Sequence, residues 1–190
     1  MVAINFRAIA QDIKDSDLER LSADNPEARF ETNKEGHLIA MSPTGSESGR
    51  KNGRLFFQVE SWNVRSNLGV TFDSSTGFKL SNGAVRSPDI TWIHLDRWNE
   101  LSPKQQSKFA PIDPDFVIEL LSPTDDLTQL QTKMLEYMDC GVKLGWLINL
   151  EDQQVEIYYN GRNKEVLDNP QSLSGEDILP NLVVDLSEIF

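Results

Sequence analysis

The sequence predicts a mixed α/β domain, because helical and strand-like hydrophobic patterns alternate along the chain. The clearest pattern lies in the second half, where residues 116–121 and 145–150 are short apolar runs typical of strands buried on both faces. Between them, apolar side chains recur at helical spacing from Leu127 to Met138. A strand, a helix and a strand in this order predict two parallel strands joined by a right-handed crossover.

The first half predicts a short helix, a β-hairpin and a long helix. Residues 15–24 form the short helix, and residues 29–33 and 38–41 form two strands around a turn that contains Gly36. The long helix ends near residue 63, because four apolar side chains before that point follow helical spacing: Leu55, Phe56, Val59 and Trp62.

The remaining elements complete one domain. Further strands are expected at 70–72, 77–80, 89–93 and 155–159, the last of these antiparallel to the run at 145–150. The polar stretch 96–109 is a possible helix, and the apolar tail 178–184 is expected to dock on the domain. Since no low-complexity segment or linker interrupts the pattern, residues 1–190 are interpreted as a single domain.

Composition narrows the classes of function. With 30 acidic and 18 basic residues, the formal net charge of −12 opposes strong non-specific binding to nucleic acid. The one concentrated basic stretch, residues 50–54, is either a solvated helix face or a local binding patch. No run approaches the roughly 18 apolar residues of a membrane span, and no signal peptide is apparent. The single cysteine, Cys140, fits a reducing environment, so we expect a cytoplasmic location.

Two acidic residues occupy strand positions where burial is expected. Asp89 opens the run 89–93, and Glu119 interrupts the run 116–121. A buried carboxylate is costly without a partner or a metal, so two of them on neighbouring runs suggest a shared cation such as Mg²⁺ or Mn²⁺. Lys133, on the helix that follows, adds a positive charge. Two acids and a lysine predict metal-dependent phosphodiester hydrolysis, in which the lysine stabilises the developing charge.

Structural explanations of the same residues remain open. Asp89 alone can cap a loop, and Glu119 with Lys133 can form a structural salt bridge. Other kinds of site are poorly supported. His37 and His94 are the only histidines and there is no cysteine pair, which argues against zinc, and no phosphate-binding glycine motif indicates a nucleotide cofactor.

Several motifs together resemble the Uma2 family. They are Ser87-Pro88-Asp89, the stretches 114–125, 133–137 and 141–148, and the ending 173–180. The resemblance covers about residues 24–190. It implies the restriction-endonuclease-like core of the PD-(D/E)xK nuclease superfamily, a mixed β-sheet flanked by helices, here with an N-terminal β-hairpin extension.

The same resemblance implies roles for individual residues. It makes Asp89 and Glu119 the metal-binding acids, with the backbone carbonyl of Leu120 as the third protein ligand. The lysine of the superfamily normally lies two residues after the acid, where this chain has Leu121. Lys133 matches the relocated lysine of the Uma2 family, so the departure does not by itself imply an inactive site.

Three further residues are accessory candidates. Glu47 lies in the first long helix, where some members of the superfamily place another acid. Gln131 and Tyr137 are candidates for lining the same cleft, with roles in the core or on the surface as the alternative.

These observations predict a Mg²⁺- or Mn²⁺-dependent endonuclease that acts on DNA and forms a homodimer. The rival hypothesis is a non-catalytic interaction module that keeps the nuclease fold. The net charge of −12 favours this rival, and its partner would be another protein or another copy of the chain.

Overall fold

The computed structural model describes residues 2–3, 15–25, 28–41, 43–123 and 125–190. The helices are α1 (Asp15–Asp24), α2 (Ser46–Ser66), α3 (Leu95–Asn99), α4 (Pro103–Gln106) and α5 (Leu127–Asp139). The strands are β1 (Val2–Ala3), β2 (Arg29–Thr32), β3 (Leu38–Met41), β4 (Gly69–Asp73), β5 (Phe78–Lys79), β6 (Val85–Arg86), β7 (Ile90–His94), β8 (Phe116–Leu121), β9 (Leu144–Asn149), β10 (Gln154–Tyr159), β11 (Glu165–Asp168), β12 (Ser172–Ser174) and β13 (Val183–Asp185).

The main sheet has six strands in the order β11-β10-β9-β8-β7-β4. Strands β8 and β9 are parallel, with Phe116 opposite Leu144, and α5 connects them, so the predicted βαβ unit is confirmed. The other strand pairs of this sheet are antiparallel. Helices flank this mixed sheet, which confirms the predicted fold class.

Local chemistry places α5 on the sheet. Asp126 caps its N-terminus by accepting hydrogen bonds from the backbone N–H groups of Thr128 and Gln129, and Gly141 follows its end with φ of 95°. A Cβ atom on Gly145 would lie 2.6 Å from Met134 Cε, so glycine leaves room for the Met134 side chain to pack against β9. The buried face of α5 is formed by Leu130, Lys133, Met134 and Tyr137. This face therefore includes a charged residue.

The predicted β-hairpin is strands β2 and β3, which close through a turn with Gly36 at φ of 77°. The hairpin belongs to a second sheet in the order β1-β3-β2-β6-β5, where Thr32 lies opposite Val85. This pairing covers the hairpin and buries Glu31 and Thr32, although the local sequence is polar.

The C-terminal tail docks as expected. Strands β12 and β13 pair with each other, and Leu179, Leu182 and Val184 are buried in the core cluster that also contains Leu55 of α2. Several boundaries differ from the prediction. Strand β7 begins at Ile90, one residue after Asp89, and the stretch 96–109 forms two short helices, because Ser102 and Pro103 start a new helix with a capping box.

Candidate active site

Asp89 and Glu119 lie side by side at the floor of one cleft. Strands β7 and β8 are antiparallel with Ile90 opposite Ile118, so the residue before β7 meets the one after Ile118. The backbone N–H of Leu120 donates to Asp89 Oδ2 at 2.8 Å. Asp89, Glu119 and Leu120 all line a cleft of about 820 Å³. The structure thus brings the predicted acids together.

Lys133 joins the two acids from α5. Its Nζ lies 2.8 Å from Glu119 Oε1, and its side chain lines the same cleft. The hydroxyl of Tyr137, one helical turn later, donates to the same Glu119 oxygen at 2.8 Å. Lys133 and Tyr137 reach this point because they share the buried face of α5.

A third acid, Glu31, was missed by sequence reasoning. It lies on β2, is fully buried, and its Oε1 accepts from Lys133 Nζ at 3.0 Å and from the backbone N–H of Ser87 at 2.8 Å. Its Oε2 lies 3.1 Å from Arg86, which also pairs with Glu136 at 2.5 Å. The signal that identified Glu119, an acid inside a strand, was also present at Glu31. The run around Glu31 also contains Arg29 and Thr32, so this acid did not stand out against apolar neighbours.

The electrostatics of the two acids bound to Lys133 differ. Burial raises the pKa of Glu119 to about 7, and the neighbouring carboxylates of Asp89 and Glu31 add to this, while Lys133 opposes it. Burial also acts on Glu31, but Lys133 and Arg86 together hold the pKa of Glu31 below its ordinary value. Burial by itself would lower the pKa of Lys133, yet Glu119 and Glu31 more than offset this and raise it. Lys133 is therefore a charged ammonium group shared by two acids.

The pKa of Asp89 is also raised, chiefly by burial, although the hydrogen bond from Leu120 opposes the rise. Raised carboxyl pKa values in a cleft are typical of functional sites, because structural ion pairs usually lower them.

Two of the three accessory candidates lie outside this cluster, whereas Tyr137 belongs to it. Glu47 is exposed in the first turn of α2 and pairs with Arg50 at 2.6 Å. Gln131 donates to Glu156 Oε1 at 2.6 Å, away from the cleft lining. The structure brings neither residue to Asp89 and Glu119.

The residues at the floor of the cleft fit a hard divalent cation. Among the described residues, Oδ1 of Asp89 and Oε2 of Glu119 make no hydrogen bond, so each acid keeps one oxygen for ligation. Carboxylate and carbonyl oxygens are the donors that Mg²⁺ and Mn²⁺ prefer. No group of three or more His, Cys, Asp or Glu residues in the described part of the chain has a metal-binding arrangement, so a cation here relies on the Leu120 carbonyl or water.

None of the helices in the described ranges has the length and apolar character that crossing a bilayer requires.

Comparison with known proteins identifies the family and the fold of the chain. The model of the Uma2 family, described as "Putative restriction endonuclease", matches residues 15–187. No curated protein matches the chain. Among solved structures, the crystal structure of "a putative nuclease belonging to DUF820" from Anabaena variabilis is similar, with a TM-score of 0.71 and 22% identity over 85% of this chain and 89% of that chain. At this identity the similarity establishes the fold. The chain therefore belongs to the Uma2 family of restriction-endonuclease-like proteins.

Proposed function

We propose that this protein is a divalent-metal-dependent endonuclease that hydrolyses phosphodiester bonds in DNA. In this proposal Asp89, Glu119 and the carbonyl of Leu120 hold Mg²⁺ or Mn²⁺, and Lys133 acts at the phosphate. The observation that carries the proposal is the position of Lys133 Nζ, 2.8 Å from Glu119 at the floor of a cleft that also contains Asp89.

The charge balance argues against a purely structural salt bridge. Three buried or half-buried acids, Asp89, Glu119 and Glu31, lie near one lysine, and burial together with the two neighbouring carboxylates raises the pKa of Glu119 to about 7. A structural pair gains most when each carboxylate is fully neutralised and hydrogen-bonded. This cluster instead lacks positive charge, which a bound cation would supply.

Each residue then has a defined task. A bound divalent cation polarises the phosphoryl group and lowers the pKa of its water. Tyr137 donates to Glu119 Oε1, which leaves Oε2 to face the ligand. Lys133 stays anchored on Glu31 when Glu119 turns to the ligand, so its ammonium group can stabilise negative charge that develops on the phosphate oxygens.

Cleavage of supercoiled plasmid DNA with Mg²⁺ or Mn²⁺ tests the proposal. We expect the unaltered protein to nick the plasmid and Glu119→Gln to leave it intact. Glu47→Gln is the matched control, because it makes the same chemical change on an exposed residue outside the cleft. Equal cleavage by Glu119→Gln and the unaltered protein would refute the assignment.

A second candidate function is protein interaction, with another copy of the chain as the partner. It is favoured by Phe57 and Val64, which lie two helical turns apart on α2 and are each 70% exposed. Sedimentation of Phe57→Ser and Val64→Ser variants tests it. We expect a dimer that dissociates in these variants, and a monomer in every case would contradict the idea.

A further inference from the structure

The cleft above Asp89 and Glu119 carries aromatic side chains in its walls. Phe30 on β2, Phe56 on α2 and Phe109 after α4 all line it, and each is only partly buried. Aromatic rings that remain accessible in a groove are the platforms on which proteins stack unpaired bases. Hydrolysis of a phosphodiester bond does not by itself require these three aromatic rings in the cleft.

An exposed cation borders the same cleft. Arg29 on β2 is exposed, lines the cleft and forms no ion pair with any described residue. Two arginines of α2 differ, because Arg50 pairs with Glu47 and Arg54 pairs with Glu188. In a chain of net charge −12, an exposed arginine beside the cleft gives a phosphate group a local site of attachment.

Two glycines on α2, Gly49 and Gly53, line the cleft and place no side chain in it at these two positions. Gly49 and Gly53 lie inside this helix, where glycine costs roughly 1 kcal/mol relative to alanine. A Cβ atom on Gly53 would meet nothing within 4 Å, and one on Gly49 would meet only Thr44 Cγ2 at 3.9 Å. Packing in the protein therefore does not require either glycine. Between them, Asn52 also lines the cleft, and its buried Oδ1 has no hydrogen-bond partner among the described residues.

We propose that the cleft binds a single nucleic-acid strand, with bases stacked on Phe30 and Phe56 and a phosphate held by Arg29. This proposal rests on the proposed nuclease function, since it places the strand over Asp89 and Glu119. The volume of about 820 Å³ lies in the range of small-ligand pockets, which is room for a few nucleotides of one strand. Single-stranded or locally unpaired DNA is thus the substrate class.

Fluorescence anisotropy in EDTA tests the binding without cleavage. The probes are a fluorescein-labelled oligothymidine and a labelled DNA duplex of equal length. We expect the single strand to bind more tightly. Phe56→Leu, which keeps the apolar contact with the core, should weaken strand binding by about 10-fold through lost stacking. Arg29→Gln should weaken it several-fold and reduce its dependence on salt.

Two further variants control for folding and position. Arg65→Gln removes an exposed arginine of α2 outside the cleft and should leave binding unchanged. Gly53→Leu should block the strand while the melting temperature stays the same or rises, because the added side chain enters open space.

The outcomes separate this inference from the function on which it rests. Equal or tighter binding of the duplex, or unchanged strand binding in both Phe56→Leu and Arg29→Gln, would overturn the single-strand proposal even if metal-dependent cleavage of duplex DNA is observed. Strand binding that follows the expected order without any cleavage in Mn²⁺ would support it and overturn the nuclease.

Discussion

Two buried acids, Asp115 just before β8 and Glu119 within it, have pKa values that are shifted in opposite directions. Asp115 directly precedes β8 and contacts two cations, Lys143 at 2.7 Å and Arg97 at 2.8 Å, and it accepts a hydrogen bond from the backbone N–H of His94. Burial alone would raise its pKa, but these partners lower it. Glu119, four residues later, shares Lys133 with Glu31, and its pKa rises to about 7.

Burial opposes the ionisation of both acids, and the two sites differ in how many cations offset it. Asp115 is buried, but its two cationic partners, which keep part of their side chains in solvent, more than offset the effect of burial on its charge. The cluster at Glu119 has a deficit of positive charge, which makes it suitable for a further cation. The comparison supports the proposal that Glu119 belongs to the active site, whereas Asp115, with two cations around it, stabilises the fold. Four experiments test this difference between Asp115 and Glu119.

The largest effect is expected from Glu119→Gln. Losing a residue that only supports a metal ligand costs up to roughly 100-fold in metal affinity or activity. Since Glu119 is proposed to be a ligand itself, the cleavage rate and the affinity for Mn²⁺ should fall by more than this. Thermal stability should be retained, because glutamine removes a carboxyl group whose ionisation the site disfavours. Calorimetric titration with Mn²⁺ and a melting curve measure the two quantities. A variant that loses stability but keeps its affinity for Mn²⁺ would reverse the roles of the two acids.

Asp115→Asn should show the opposite pattern. We expect a loss of about 3 kcal/mol in the free energy of unfolding, at the low end for breaking a buried ion pair because Arg97 and Lys143 still reach water. Cleavage per folded molecule should not change. Urea denaturation and initial cleavage rates measure these, and a selective loss of activity would place Asp115 in the site.

Glu31→Gln and Glu136→Gln form a matched pair, because both remove an acid from Arg86 and only Glu31 also contacts Lys133. We expect kcat to fall about 10-fold in Glu31→Gln with KM little changed, as for other groups that orient a catalytic residue. Glu136→Gln should keep its kcat. If both variants lose kcat equally, the effect comes from Arg86 and Glu31 does not position Lys133.

The smallest effect concerns the pH dependence of stability. Glu119 has a folded-state pKa of about 7 against an ordinary value of 4.5, so ionisation favours the unfolded chain. Its contribution is neutral below pH 4.5 and becomes unfavourable as the pH rises from 4.5 to 7. For Asp115, whose pKa is lowered, stability is present above about pH 4 and is lost in acid.

Melting temperatures of the metal-free protein and Glu119→Gln across this range measure the effect. The difference between the two should grow from pH 4.5 to 7 and then stay constant. A difference independent of pH would mean that Glu119 is already ionised at pH 4.5.

The acids of the candidate site show how much a local sequence pattern can predict. Glu119 was identifiable because it interrupts an otherwise apolar run, and Lys133 because the helix after that run was strongly periodic. Glu31 lies in a run whose neighbours include Arg29 and Thr32, so the same signal was hidden. Glu47 had only its place on a helix in its favour, and it is exposed in the structure.

The strand–helix–strand unit, the hairpin and the family could be predicted from the sequence, because they depend on periodicity, turn residues and local motifs. Only the tertiary structure decided which charges meet. Glu31 and Lys133 are 102 residues apart in the chain, and their contact exists because the second sheet packs the hairpin against α5. The pKa of Glu119 was likewise undecided until folding placed three acids around one lysine, since such a shift arises from burial and distance rather than from residue type.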